Sequence, residues 1–149
     1  MAQSQAGAVN RSREGGQVLA FFALVLPIVL LPVAAYAVDA TIVASREAGL
    51  QAATAQAAET AAQQLNVSVI RSSGALTLDP VAASLVATLT LAAGEPSAIV
   101  DSASVDGVDA TVETSESVTL PFSLFAHTVR LHARATARLV AGYEKPRYP

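Results

Sequence analysis

The chain has 149 residues, of which 52% are hydrophobic and 14% charged, with a formal net charge of −3. Soluble domains usually carry about 25% charged residues, and once a membrane segment is set aside the length leaves room for one small domain. The mild negative charge gives no electrostatic footprint for nucleic acid, and the absence of cysteine excludes a disulfide framework and a thiolate metal site.

From Gly15 to Val38 there is no charged residue. The apolar stretch Val18–Val38, at about 1.5 Å per residue, is long enough to cross the ~30 Å hydrocarbon core as a helix. Inside lipid a lone span must satisfy its own backbone hydrogen bonds, and only a helix does so. Pro27 and Pro32 are compatible with it at the expense of a kink. Tyr36 lies near one boundary, where an aromatic serves both phases. Arg11 and Arg13 precede the span, Asp39 follows it, and the next basic residue is Arg46. The positive-inside bias therefore predicts residues 1–17 in the cytoplasm and the chain from Asp39 onward outside. The competing reading is a cleaved signal peptide, since Ala35-Tyr-Ala37 is an acceptable small-x-small cleavage site. The protein would then be an exported adhesin or ligand-binding module.

Asp39 to Leu65 is dominated by Ala, Gln, Glu and Thr, with Gly49 its only glycine and no proline. These residues mostly favour helix, and the reading is one stem helix continuing the span, roughly 70 Å in all. Ala53, Ala57 and Ala61 form a row of small residues at i, i+4 spacing, and Ala44, Ala48 and Ala52 form a second. Such rows let another helix approach closely.

Residues 66–141 read as a domain beyond the stem. Val67–Ile70 is a β-branched run that predicts a short strand, Ser72-Ser-Gly74 a turn, and Ala75–Leu78 a second short strand. Asp79-Pro80 is an N-cap followed by proline at the first helical position. Gly94 and Pro96 are stop signals, so a helix is expected over 80–93, with Val81, Leu85, Leu89 and Ala92 near one face. Asp106-Gly107 predicts a two-residue hairpin between strands 97–105 and 108–120. In that register Val105 faces Val108, Ala103 faces Ala110 and Asp101 faces Val112. Val108, Ala110 and Val112 then share one face, and Asp109, Thr111, Glu113, Ser115 and Ser117 the other. Pro121–Phe125 interrupts the pattern. A last strand, 128–140, alternates Val129, Leu131, Ala133, Ala135 and Ala137 with Arg130, His132, Arg134, Thr136 and Arg138, the period of a half-buried strand. Residues 142–149 read as an irregular tail. The fold class is α+β: a long N-terminal helix, then a small antiparallel sheet domain with one packed helix.

No constellation for catalysis, cofactor or metal binding emerges. His127 and His132 are five apart, so on a strand they face opposite ways. Asp101, Asp106 and Asp109 lack the ligand order of a calcium loop and read as turn chemistry. Arg130, Arg134 and Arg138 could attract a polyanion, but Asp109 and Glu113 on the neighbouring strand are plainer partners. The expected mode of action is non-enzymatic, with no cofactor, nucleic acid or small-molecule substrate.

The stretches Arg13-Glu-Gly-Gly-Gln17 and Phe22-Ala-Leu-Val-Leu-Pro27 resemble the N-terminus of TadE/TadG-like proteins, the minor pilin-like (pseudopilin) components of tight-adherence, or Flp, pilus systems. The Ala-rich stem around Gln51–Ala58 is similar to that family's stem. Val118-Thr-Leu-Pro-Phe122 and Val129-x-Leu-x-Ala-x-Ala-Thr-Ala-Arg138 look like its closing strand. The resemblance spans roughly Arg13–Gln64 and Val108–Val140. It implies a pilin-like architecture and a structural role in pilus assembly or the associated secretion apparatus, with the lipid bilayer and other pilus or secretion subunits as partners. It also implies a processing position at Gly16 and Gln17, although Phe21 stands where pilins carry a glutamate.

Overall fold

A computed structural model of the chain describes residues 9–122 and 127–139, with side chains from Gly16 onward. The architecture is α+β. Helix α1 (Val9–Ala61) is followed by α2 (Val67–Ser73), α3 (Pro80–Gly94) and three strands, β1 (Ala98–Asp106), β2 (Asp109–Thr119) and β3 (Thr128–Arg138). The expected tail, 142–149, and most of the Pro121–Phe125 interruption lie outside the described residues.

α1 is one helix of 53 residues, about 80 Å long. It runs unbroken through Pro27, Pro32 and Gly49, which joins the expected span and stem. It ends at Ala61 rather than Leu65, because residues 62 and 63 form a turn and Leu65 instead makes an isolated β-bridge with Leu78. Gly16–Ala61 contains a stretch long and apolar enough to cross a membrane, none of which is buried in the protein. A helix apolar on every face and uncovered by its own chain has no stable place in water.

From Asp39 onward α1 becomes the centre of a head. The three strands form an antiparallel sheet in the order β1-β2-β3. α1 lies along β2 and β3, and α3 fills the rest of the same face beside β1. α3 runs in the opposite sense to α1, with Thr90 beside Thr60 and Gly94 beside Ala53. The core between the layers is rich in alanine. Ala53, Ala57 and Ala61 are buried inside this head, as are Ala83, Ala87 and Leu91 from α3 and Ala110, Val112 and Leu131 from the sheet. Small residues bring the helix axes close, so contact is made by backbone and Cβ atoms more than by long side chains. The Ala44, Ala48 and Ala52 row stays exposed.

Three expectations are corrected. Val67–Ile70 is helical, the first turn of α2. Asn66 accepts a hydrogen bond from the Val69 amide at 3.2 Å, and Gly74 closes the helix in the left-handed region at φ 71°. Both ends are capped, and that outweighs a weak β-branched preference. Ala75–Leu78 is not a strand beyond the single bridge to Leu65. The hairpin register is also shifted: Asp106 pairs with Asp109, Val105 with Ala110 and Ala103 with Val112. Gly107 thus occupies the first loop position with φ 62°, where primed hairpin turns need positive φ. A shift of two residues leaves the side chains of β2, and those of β1 from Ser102 onward, on their expected faces. Asp101 does not face Val112. It is the extra residue of a bulge between Val100 and Ser102, which keeps Ala98 and Val100 on the same buried side as Ala103 and Val105.

Candidate functional site

The outer face of the sheet, away from the helices, is a polar ladder. Arg138 meets Asp109 at 3.0 Å and Arg134 meets Glu113 at 3.2 Å. Ser102 donates to Glu113 at 2.9 Å, and the Thr111 and Thr136 hydroxyls are 2.9 Å apart. At the bulge, Ser115 donates to Asp101 at 3.0 Å and Arg130 donates to Ser115 at 3.1 Å. His132 Nδ1 lies 3.9 Å from Asp101 in an exposed setting. Arg138 and Arg134 are therefore answered in register by Asp109 and Glu113, ordinary cross-strand pairs, while Arg130 reaches over β2 to Asp101 of β1 at 3.7 Å, with Ser115 between them. Asp101 is drawn away from Asp106 and Asp109, and among the described residues no three metal-ligating side chains converge.

The inward phase of β2 carries two polar residues. Thr114 and Thr54 are both fully buried, with their hydroxyl oxygens 2.6 Å apart. Thr54 gives its one proton to the Leu50 carbonyl at 2.6 Å, so Thr114 is the donor between them. Glu116 is only 4% exposed. One carboxylate oxygen accepts from Ser97 at 2.7 Å and lies 3.8 Å from Arg46, while the other has no hydrogen-bond partner. Arg46 is shared with Glu95 at 3.9 Å. Gly49 leaves room for that carboxylate, since a Cβ there would stand 2.7 Å from Glu95 Oε1. This cluster ties α1, the end of α3 and the sheet together near the emergence of the apolar stretch. It was overlooked in the sequence, although an inward-phase glutamate in an alternating strand is a visible signal.

Asp39 is the first buried residue along α1 among the described side chains. Its carboxylate accepts a hydrogen bond from the Phe122 amide at 3.3 Å. Gly16 and Gln17 are exposed on α1; Ala35 is half-buried, Ala37 exposed, and the Ala37 carbonyl accepts from Thr41 at 2.8 Å.

The most unusual surface belongs to α3. Val81, Leu85 and Leu89 fall on one face, as their spacing implies, but that face points outward: they are 75%, 59% and 61% exposed. The helix turns Ala83, Ala87 and Leu91 inward and displays Val81, Leu85 and Leu89. α3 contains no charged residue, so this strip is uninterrupted by charge. Contiguous apolar surface of this kind marks a contact site more often than chance exposure does. A groove beside it is lined by Gln56, Thr60, Leu89, Thr90, Ala93 and Gly94.

No family model, curated protein or solved structure compared with the chain gave a match.

Proposed function

We propose that the chain is a membrane-anchored, pilin-like assembly component, acting by helix packing and protein–protein contact rather than catalysis. The systems it fits best are the tight-adherence (Flp) pilus and its secretion apparatus, on the resemblance of the N-terminal and closing segments. One observation carries the reading. A single helix is apolar and uncovered over its first half and is the central core element of a head over its second. That couples a lipid-facing anchor to an extracytoplasmic body with no linker between them. With Arg11 and Arg13 on the near side, the N-terminus is cytoplasmic and the head lies outside.

The exposed strip of α3 is the surface offered to neighbouring subunits. The natural sequence has no cysteine, so Leu85→Cys gives a unique handle for cross-linking in native membranes. The expected result is a cross-linked product between this chain and a pilus or secretion subunit. Leu85→Asp is expected to leave the protein in the membrane fraction and abolish surface filaments or secretion. Filaments and secretion unchanged by Leu85→Asp would overturn the contact role. Intact mass and N-terminal sequencing test the anchor. A start at or near Met1, or at Gln17, retains it. A start at Val38 overturns it and leaves an exported head, whose described core begins at Asp39.

A further inference from the structure

The hydrogen bond between Phe122 and Asp39 places the turn after β2 at a specific height. β2 runs back toward the apolar half of α1, and the Leu120 amide donates to the His127 carbonyl at 3.0 Å, which closes the turn. The Phe122 amide reaches Asp39, the first charged residue after the uncharged stretch. The head thus touches α1 at the position where the apolar surface ends. At that level Phe122 is 52% exposed and Pro121 is exposed beside it.

We infer that Phe122 is a second membrane contact, its ring seated at the boundary of headgroups and acyl chains beside the emerging helix. The inference rests on the anchor reading above. The occupant is lipid because the site is continuous with the lipid-facing surface of α1. Val38, one residue before Asp39, is itself exposed, so a bilayer that covers the span up to its last apolar residue reaches the ring. Phenylalanine is one of the apolar side chains that surface-lying helices bury at the headgroup–acyl boundary. Asp39, the carboxylate beside Phe122, is buried and turned to the Phe122 amide, so it does not stand exposed between the ring and the lipid. Phe122 and Tyr36 would then form two aromatic contacts at one level, one on the head and one on the helix.

The chain has no tryptophan, which makes the test clean. Three full-length variants, Phe122→Trp, Phe22→Trp and Leu85→Trp, are each reconstituted into phosphatidylcholine vesicles with bromine on the upper or the lower acyl carbons. Phe22 is exposed within the apolar stretch and Leu85 on α3. The expected result is quenching of Phe22→Trp, quenching of Phe122→Trp chiefly by upper-carbon bromines with blue-shifted emission, and no quenching of Leu85→Trp. If Phe22→Trp is quenched but Phe122→Trp behaves like Leu85→Trp, the interfacial contact is overturned and the anchor stands. Blue-shifted but unquenched Phe122→Trp emission means that protein covers the ring, which also overturns the contact. An unquenched Phe22→Trp overturns the anchor itself.

Discussion

Replacing Thr54 by valine tests whether the buried hydroxyl pair holds the stem to the sheet. Valine matches threonine in shape and in its β-branch, so packing and helix preference change little. Thr114, fully buried, then keeps its proton and loses its acceptor at 2.6 Å. Leaving a buried donor unmade costs about 1–3 kcal/mol. Thr114→Val is milder, because Thr54 still donates to the Leu50 carbonyl at 2.6 Å. There only a neutral hydrogen bond is lost, about 0.5–1.5 kcal/mol. With both residues changed to valine nothing polar is stranded, and the cost should fall to about 1 kcal/mol or less. The three variants and the parent chain would be held in mild detergent and taken through a urea series read by pulse proteolysis of the head. Equal losses for the single variants, adding up in the double variant, would refute the reasoning, since they would mean that the hydroxyls do not depend on each other.

The same series tests the cluster at Glu116. Arg46→Met removes the one cation, among the described residues, beside a carboxylate that already lacks a partner for one oxygen, and should cost about 1–3 kcal/mol. Most of that loss should vanish in a Glu116→Gln background, and an equal loss in both backgrounds would sink the pairing. Gly49→Ala displaces the Glu95 carboxylate, losing at most a surface pair of about 0–1 kcal/mol while gaining about 1 kcal/mol of helix preference. Stability should hold or rise slightly, and a clear fall would show that Glu95 cannot swing aside. Asp79→Ala strips the cap that accepts from the Val81 and Ala82 amides. It should cost about 1 kcal/mol and speed hydrogen exchange in the first turn of α3, while Asp79→Asn changes either by only a few tenths.

Much of the fold was legible because the deciding signals are local. Asp79-Pro80 with Gly94 bounded α3 to within a residue, and the strict alternation of Val129–Arg138 gave β3 and its facing. α2 was misread because its β-branched residues argue locally for strand, whereas its caps at Asn66 and Gly74 decide for helix. The hairpin register turned on where Gly107 sits in the loop, a question of φ that residue identity leaves open between adjacent positions. The bulge at Asp101 shows in the sequence only as a break in alternation, the adjacent polar pair Asp101-Ser102 between Val100 and Ala103. For the surface, the spacing of Val81, Leu85 and Leu89 identified a face but not its direction. Amphipathic reasoning assigns large aliphatics inward, and here the close approach of alanines on α1 and α3 took the inward side.

The unbroken course of α1 has a mechanical consequence. If its first half lies in a bilayer, as proposed above, the helix is a lever. Asp39 to Ala61 extends about 33 Å beyond the surface, so a tilt of about 20°, ordinary for a single span, carries the far end about 11 Å sideways. Tilting is one way a long span fits a thinner bilayer, and a stem without a hinge passes that tilt to the strip on α3. A contact on one side at Phe122 would favour one direction of lean over the others. The attitude of the head would then report the thickness of the lipid beneath it, as a pointer reports on a gauge.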